Sequence, residues 1–279
     1  TLTTKDGLPS DEVYALYEDA QGTLWIGTRF GLGRYRGDSL TSFTTRQGLS
    51  SNDITSMAED ARGRLWVGTY DGGLNVLEGD AVVRRYTTQD GLLSDHVLTL
   101  YADAGGDVWI GTREGGLNRF RPDGNGGGSF TAVAPEQGLA SDNVFQIVED
   151  ERGNLWMTCN QSLFRVSKAD VDAFAEGRVE RVTSVVYDRH DGLRTTEFNG
   201  GFQPAGWRGR DGRLWFPSDK GLVSVDAGHG PTGLVPPRVL VERVTADEAA
   251  VDLAQERIEI PAGASKFGFD YVAVTFLSA

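Results

Sequence analysis

The chain is poor in the residues that most often build a reactive or metal-holding centre. One of its 279 residues is a cysteine, Cys159, and three are histidines, His96, His190 and His229. A lone cysteine forms no internal disulfide and no cysteine-based zinc site, and the histidines lack metal-ligand spacing. No apolar run approaches the roughly 18 residues of a membrane span. No secretory leader is readable, and Thr1 is not an initiator Met, so the sequence reads as processed or excised from something larger. Positive charge is also short. The chain has 27 Lys and Arg against 40 Asp and Glu, a net charge of −13. Such a surface repels phosphate backbones and anionic membranes, which argues against nucleic acid as a partner. The charge is spread along the chain, so it is not an acidic disordered tail.

What the chain has in abundance is glycine, 37 residues, and repetition. The pairs Gly7-Leu8, Gly48-Leu49, Gly91-Leu92 and Gly138-Leu139 are each followed, 18 residues after the Gly, by Trp25, Trp66, Trp109 and Trp156. A looser fifth copy runs from Gly192-Leu193 to Trp215. In the second copy, Ile54 to Glu59, Arg64 to Thr69, Leu74 to Glu78 and Ala81 to Thr87 read as short strands separated by turn residues. Four strands in a repeat of 41 to 47 residues predict the blades of a β-propeller. The predicted fold is all-β, with five four-stranded blades near 7–47, 48–90, 91–137, 138–191 and 192–235.

The frame D-x-x-G-x-[LV]-W recurs at Asp19, Asp60, Asp103 and Asp150. The Asp side chain suits a turn whose N–H groups need an acceptor, and the Gly suits a left-handed residue. The Trp is expected to pack between blades, where an aromatic buries roughly 150–250 Å². A metal or acid–base role fits poorly, because the same residue recurs in every copy. The spacing is one residue longer than the Asp-box of sialidase-type propellers, so it gives no support for a glycosidase.

Copies four and five depart from the pattern. Thr158-Cys159 replaces the Gly-Thr of the first three copies, and an insertion with Ser167 as a helix cap predicts a short helix ending at Gly177. In copy five, Gly209 stands at the Asp position and no fourth strand is evident before Pro237. Leu2-Thr3-Thr4 matches the end of a fourth strand, and either completes the last blade or is the stub of an upstream one. Trp207 lies outside the frame and is expected in the core, with a sugar-stacking platform as the alternative. From Arg238 the pattern changes, with strands expected over Val239–Val244, Arg257–Ile260 and Phe267–Phe276.

The turns Gly7-Leu8-Pro9-Ser10-Asp11 and Gly48-Leu49-Ser50-Ser51-Asn52, the frames around the tryptophans and the Gly-Gly-Leu-Asn runs at 72–75 and 115–118 resemble two-component regulator propeller repeats. The resemblance covers about residues 5 to 226. Glu197 to Gly201 with Asp211 to Phe216 resembles the closing blade of that family, and 236–279 the start of the Ig-like sandwich that follows it. It implies five of seven blades plus a truncated sandwich, from the periplasmic part of a bacterial receptor. The output module would be a histidine kinase or a diguanylate cyclase, tethered to the membrane by parts outside this chain and paired as a homodimer in the parent protein.

A ligand site is expected on the face that carries the loops joining second and third strands. Those loops differ between copies while the scaffold repeats. The candidates are Arg29, Tyr70, Asp71, Arg113, Glu114, Asn160 and Asp219, with solvated turns as the plain alternative. Arg, Tyr and Asn suit carboxylates or sugar hydroxyls, so the expected partner is a small molecule, a glycan among the candidates. No cofactor, metal or catalytic residue is expected. A protein-docking scaffold and a propeller lyase or glycosidase are the alternative functions. The enzyme would need two carboxylates or a His–Tyr pair at the channel mouth, with Asp71 and Glu114 as candidates.

Overall fold

The computed structural model describes residues 1–124, 126–228, 238–247, 249–251 and 266–274. They fall into two compact units, 1–228 and 229–279. Blade 1 comprises β1 (Val13–Glu18), β2 (Leu24–Thr28), β3 (Gly31–Arg36) and β4 (Ser39–Phe43). Blade 2 comprises β5 (Ile54–Glu59), β6 (Leu65–Thr69), β7 (Leu74–Glu78) and β8 (Ala81–Tyr86). Blade 3 comprises β9 (Val97–Ala102), β10 (Val108–Thr112), β11 (Leu117–Pro122) and β12 (Gly128–Val133). Blade 4 comprises β13 (Gln146–Glu149), β14 (Asn154–Thr158), β15 (Leu163–Ser167) and β16 (Ser184–Tyr187), with helix α1 (Lys168–Ala175) between the last two. Blade 5 has three strands, β17 (Trp207–Arg208), β18 (Leu214–Ser218) and β19 (Gly221–Val225). Each sheet is an antiparallel meander, and β1, β5, β9, β13 and β17 are neighbours around the axis. The result is the five-bladed propeller that the repeats predict, except that the fifth sheet lacks a fourth strand among the described residues. The N-terminus does not supply it, because Thr4–Asp6 forms a one-turn 3-10 helix leading into blade 1.

The Gly-Leu pairs end such turns. Gly7, Gly48, Gly91, Gly138 and Gly192 cap 3-10 helices with φ of 93° to 111°, a conformation that strains any side chain. In the first four copies the Leu that follows is buried. Thr4, Thr45 and Thr88 donate their main-chain N–H to Asp11, Asn52 and Asp95 at 2.7–2.8 Å. Pro135 has no N–H to donate, and Asp142 instead accepts from Asn143 at 2.6 Å. These four acidic or amide residues therefore serve the connections between blades.

Apolar clusters fill the junctions of blades 1–2, 2–3, 3–4 and 4–5, and Trp25, Trp66, Trp109 and Trp156 each sit in one of them. Every one of these indoles donates its N–H to the Asp six residues earlier, at 2.8–2.9 Å. The other carboxylate oxygen accepts main-chain N–H groups of the turn, as Asp60 Oδ1 does from Arg62 and Arg64 at 3.0 Å. The glycines of the frame, Gly22, Gly63, Gly106 and Gly153, are all left-handed. The structural reading of the aspartates thus holds, with the indole bond as an addition that spacing alone did not reveal.

Helix α1 starts at the Ser167 cap, which accepts from the Ala169 N–H at 3.1 Å. Its Val171 is buried in the junction of blades 3 and 4, and its Asp172 pairs with Arg119 at 2.5 Å and Arg121 at 2.9 Å. Lys168 bridges Asp103 of blade 3 at 2.5 Å and Glu149 of blade 4 at 3.0 Å. The insertion is therefore a clamp across one junction.

The described part of the second unit is an antiparallel sheet ordered β21 (Ala249–Val251), β20 (Arg238–Ala246), β22 (Phe267–Val274). The strand expected over residues 257–260 lies outside the described residues.

The carboxyls of Asp19, Asp60, Asp103 and Asp150 titrate below the usual carboxylate range. Burial acts to raise each of them, but the bonds from indole, turn N–H groups and, at Asp103, Lys168 outweigh it. A lowered folded pKa means that the stabilisation is complete above the unfolded value near ~3.9 and is lost as pH falls through the lower folded one. The melting temperature should therefore hold from neutral pH to about pH 5 and drop steeply below about pH 4. A pH series of thermal melts checks this, and an Asp103→Asn variant should show a shallower acid drop. Asp60→Ala strands the Trp66 and Arg64 donors in a buried site and should lower the unfolding free energy by about 3 kcal/mol or more, read by urea titration.

Candidate functional site

The seven sequence-predicted site residues all lie exposed on the loop face, and the structure joins some of them. Arg113 Nη1 donates to the Tyr70 hydroxyl at 2.8 Å, and its Nε lies 3.6 Å from Glu114. The Tyr70 ring packs on His96 with centroids 5.1 Å apart. Arg29 pairs with Glu12 at 3.1 Å. Burial raises the Asp53 carboxyl and the charge of Asp71 raises it further, against the pull of Arg29, so these three share one local field. Asp219 accepts from Thr195 at 2.6 Å and faces Lys220 at 3.4 Å, within blade 5. Asn160 joins neither group. Blades 1 to 3 thus carry a connected polar surface, and Asn160 and Asp219 stand apart from it. His190 is a surface residue whose ring lies 3.1 Å from Asp188, the cap of its own 3-10 turn.

The opposite end of the axis holds what the sequence did not disclose. The segment that leads into blade 5 passes inward across the ring. Ala15 and Gln203 form a parallel bridge. The Gln203 N–H donates to Tyr14 O at 2.8 Å, and the Leu16 N–H donates to Gln203 O at 3.2 Å. The Gln203 side chain continues the pattern across blade 2. Its Oε1 accepts from the Met57 N–H and its Nε2 donates to Met57 O, both at 2.6 Å. One side-chain amide thus imitates a peptide group of a neighbouring strand. Phe202 meets Tyr14 edge-on at 5.5 Å. This segment makes the described contact between blade 5 and blade 1, where the other junctions have an apolar cluster.

Beyond Gln203 a cavity of about 580 Å³ opens on the face of the Asp turns, away from the loop-face candidates. The C-terminal halves of β1, β5 and β9 and the whole of β13 line it, and Gln203, Trp207 and Arg208 close it. Trp207 is 67% exposed, which corrects the expectation of a core residue. Its main chain pairs with Trp215 in a two-residue strand at the sheet edge. Around the rim, Tyr101 donates to Glu149 at 2.9 Å, the Ala20 N–H donates to Glu59 at 2.7 Å, and Arg208 pairs with Glu151 at 2.8 Å. Burial, with the adjacent Glu149, pushes the Tyr101 hydroxyl well above the usual phenol range, so it stays a donor. The signal for this site was the break in the repeat at copy five, where Glu197 to Arg208 replaces a regular connection.

Fold and cavity define a repeat β-propeller whose blades share one internal frame and whose axis is closed by an atypical last copy. Residues 7–30, 48–71, 91–114 and 138–161 match the family model of the two component regulator propeller, so the chain carries four repeats of that family's kind. Among solved structures, it is similar to the extracellular domain of BT3049 from B. thetaiotaomicron, assigned as a hybrid two component system. That likeness has TM-score 0.67 and 23% identity, over 94% of this chain and 35% of that one. It is also similar to the extracellular domain of BT4673 from the same organism, assigned as a one component system, with TM-score 0.59 and 16% identity over 88% and 36%. A virginiamycin B lyase from Staphylococcus aureus matches with TM-score 0.55 and 14% identity over 81% and 72%. At these identities the likeness is one of fold. The chain spans about a third of the length of the two extracellular domains. A search of curated proteins gave no match. No described helix is long and apolar enough to cross a membrane.

Gln203→Ala removes both side-chain bonds to Met57. It should lower stability by about 1–3 kcal/mol and speed amide exchange at Met57 and Leu16 while leaving the junction of blades 2 and 3 protected. Hydrogen-exchange mass spectrometry reads this directly.

Proposed function

We propose that the chain is the ligand-binding propeller region of a bacterial signal receptor, held on the periplasmic side of the inner membrane and without chemistry of its own. The observation that carries this reading is the contrast between a uniform scaffold and a non-uniform centre. The Asp–Trp frames repeat, while Gln203, Trp207 and Arg208 occur once and close a cavity of about 580 Å³. A volume in that range suits a small molecule. Four repeats that match the regulator propeller model and the likeness in fold to extracellular domains of two-component and one-component systems support a sensor. The homodimer proposed for the parent protein and its output module belong to parts outside this chain.

The lyase reading draws on fold likeness to virginiamycin B lyase alone. The cavity carboxylates argue for binding instead. Glu149, the one paired with the Tyr101 hydroxyl, is also held by Lys168, which fixes it as an acceptor rather than leaving it poised for proton transfer.

A thermal-shift screen against oligosaccharides, uronic acids, amino acids and Ca²⁺ tests the proposal. A ligand at a hundredfold excess over its Kd should stabilise the fold by about 2.7 kcal/mol. The stabilising compound should be recovered unchanged after prolonged incubation. Consumption of it would favour the enzyme, and the absence of any shift would favour a docking scaffold.

A further inference from the structure

We propose that the axial cavity selects an organic amine, an apolar body with a positively charged head; this deepens the ligand-binding reading above and rests on it. The argument starts from the walls. Leu16 is 49% exposed, Trp207 is 67% exposed, and both line the cavity alongside Met57, Leu100, Ile147 and Val148. An apolar body gains by covering that surface. The indole adds a specific preference, because its π-face attracts a cation and gives nothing comparable to an anion.

The charges at the rim point the same way. Arg208 is matched by Glu151 at 2.8 Å, and Lys168 is shared between Asp103 and Glu149 at 2.5 Å and 3.0 Å. The cations near the cavity are thus committed. Glu18 and Glu59 also line it, and among the described residues no cation lies within ion-pair reach of either. Glu59 spends Oε2 on the Ala20 N–H, which leaves acceptor capacity on its carboxylate. A bound anion would find repulsion and no uncommitted cation. A neutral body would displace water from these carboxylates without replacing its hydrogen bonds, which costs affinity. A primary ammonium supplies three donors and the missing charge, in a cleft where the dielectric is lower than in bulk water. The net charge of −13 adds a long-range field that draws cations to the whole molecule.

The test compares three probes of one shape on the full chain: phenethylammonium, 2-phenylethanol and 3-phenylpropanoate. Each is followed by thermal shift and by quenching of tryptophan fluorescence. The expected result is a shift and saturable quenching with the amine, at least tenfold weaker binding of the alcohol, and none of the acid. Raising NaCl should weaken the amine selectively, because screening shortens the reach of the carboxylates. Trp207→Ala and Glu18→Gln should each weaken the amine by tenfold or more, while Arg113→Ala, on the loop face, should leave it unchanged. Glu18→Gln keeps size and shape, so it decides the matter even where Trp207→Ala perturbs the sheet edge. Equal binding of all three probes would overturn the charge selection. Binding lost in Arg113→Ala but kept in both cavity variants would place the ligand on the loop face, overturning this assignment and leaving the ligand-binding reading intact. If none of the probes binds while the broader screen yields a ligand, the amine assignment fails alone. If neither yields one, both fail.

Discussion

A carboxylate that answers three or four donors at once, buried in three of its four copies, is the interaction on which the propeller depends. Each of Asp19, Asp60, Asp103 and Asp150 fixes a hairpin through one oxygen and an indole through the other. The hairpin sets where the second strand begins, and the indole sets the wall on which the next blade lies. Local turn geometry and inter-blade packing are thereby tied to a single side chain. Copy five lacks that carboxylate, with Gly209 in its place, and it is there that the sheet is short and its edge indole exposed.

Much of the blade architecture was legible because its causes are local. Period, turn glycines and alternating apolar residues specify a meander without reference to the rest of the chain, and the four regular copies folded as read. The indole–carboxylate bond was less visible, since a spacing of six residues suggests nothing until the hairpin folds back. The 3-10 turns were read only as connections, although each Thr cap bonds an acid or amide three residues on, as Thr3 does Asp6, because three-residue turns carry no periodic pattern. The axial cavity was illegible for a different reason. Gln203 reaches Met57 across 146 residues, and no pattern in the sequence pairs them. Trp207 was misplaced in the core because tryptophan usually is buried, whereas here it lies at the mouth of the axial cavity.

The two faces of the ring differ in kind. The loop face is built from residues that vary within a repeated position, and its ion pairs largely satisfy one another. The cavity is built from inner strands that repeat and from one segment that does not. A site of the second kind is rigid on most sides, since β1, β5, β9 and β13 are held by apolar clusters. Its changeable wall is the segment around Gln203, whose hold on blades 1 and 2 is made of hydrogen bonds.

The glycine after each of the first three tryptophans also sets how one blade meets the next. A β-carbon at Gly27, Gly68 or Gly111 would come within 2.6–2.9 Å of side-chain atoms that include Ile54 or Val97, or Val144 in the third case, at the start of the next inner strand. Thr158 stands at the corresponding position of blade 4, where the next copy begins with Phe198 to Gly200 instead of a strand. Blades 1 to 3 therefore share one requirement at their trailing faces, a residue without a β-carbon beside the next inner segment. Blade 4, with Thr158 there, does not share it, so the surface that joins one blade to the next changes character at the same place where the repeat pattern breaks.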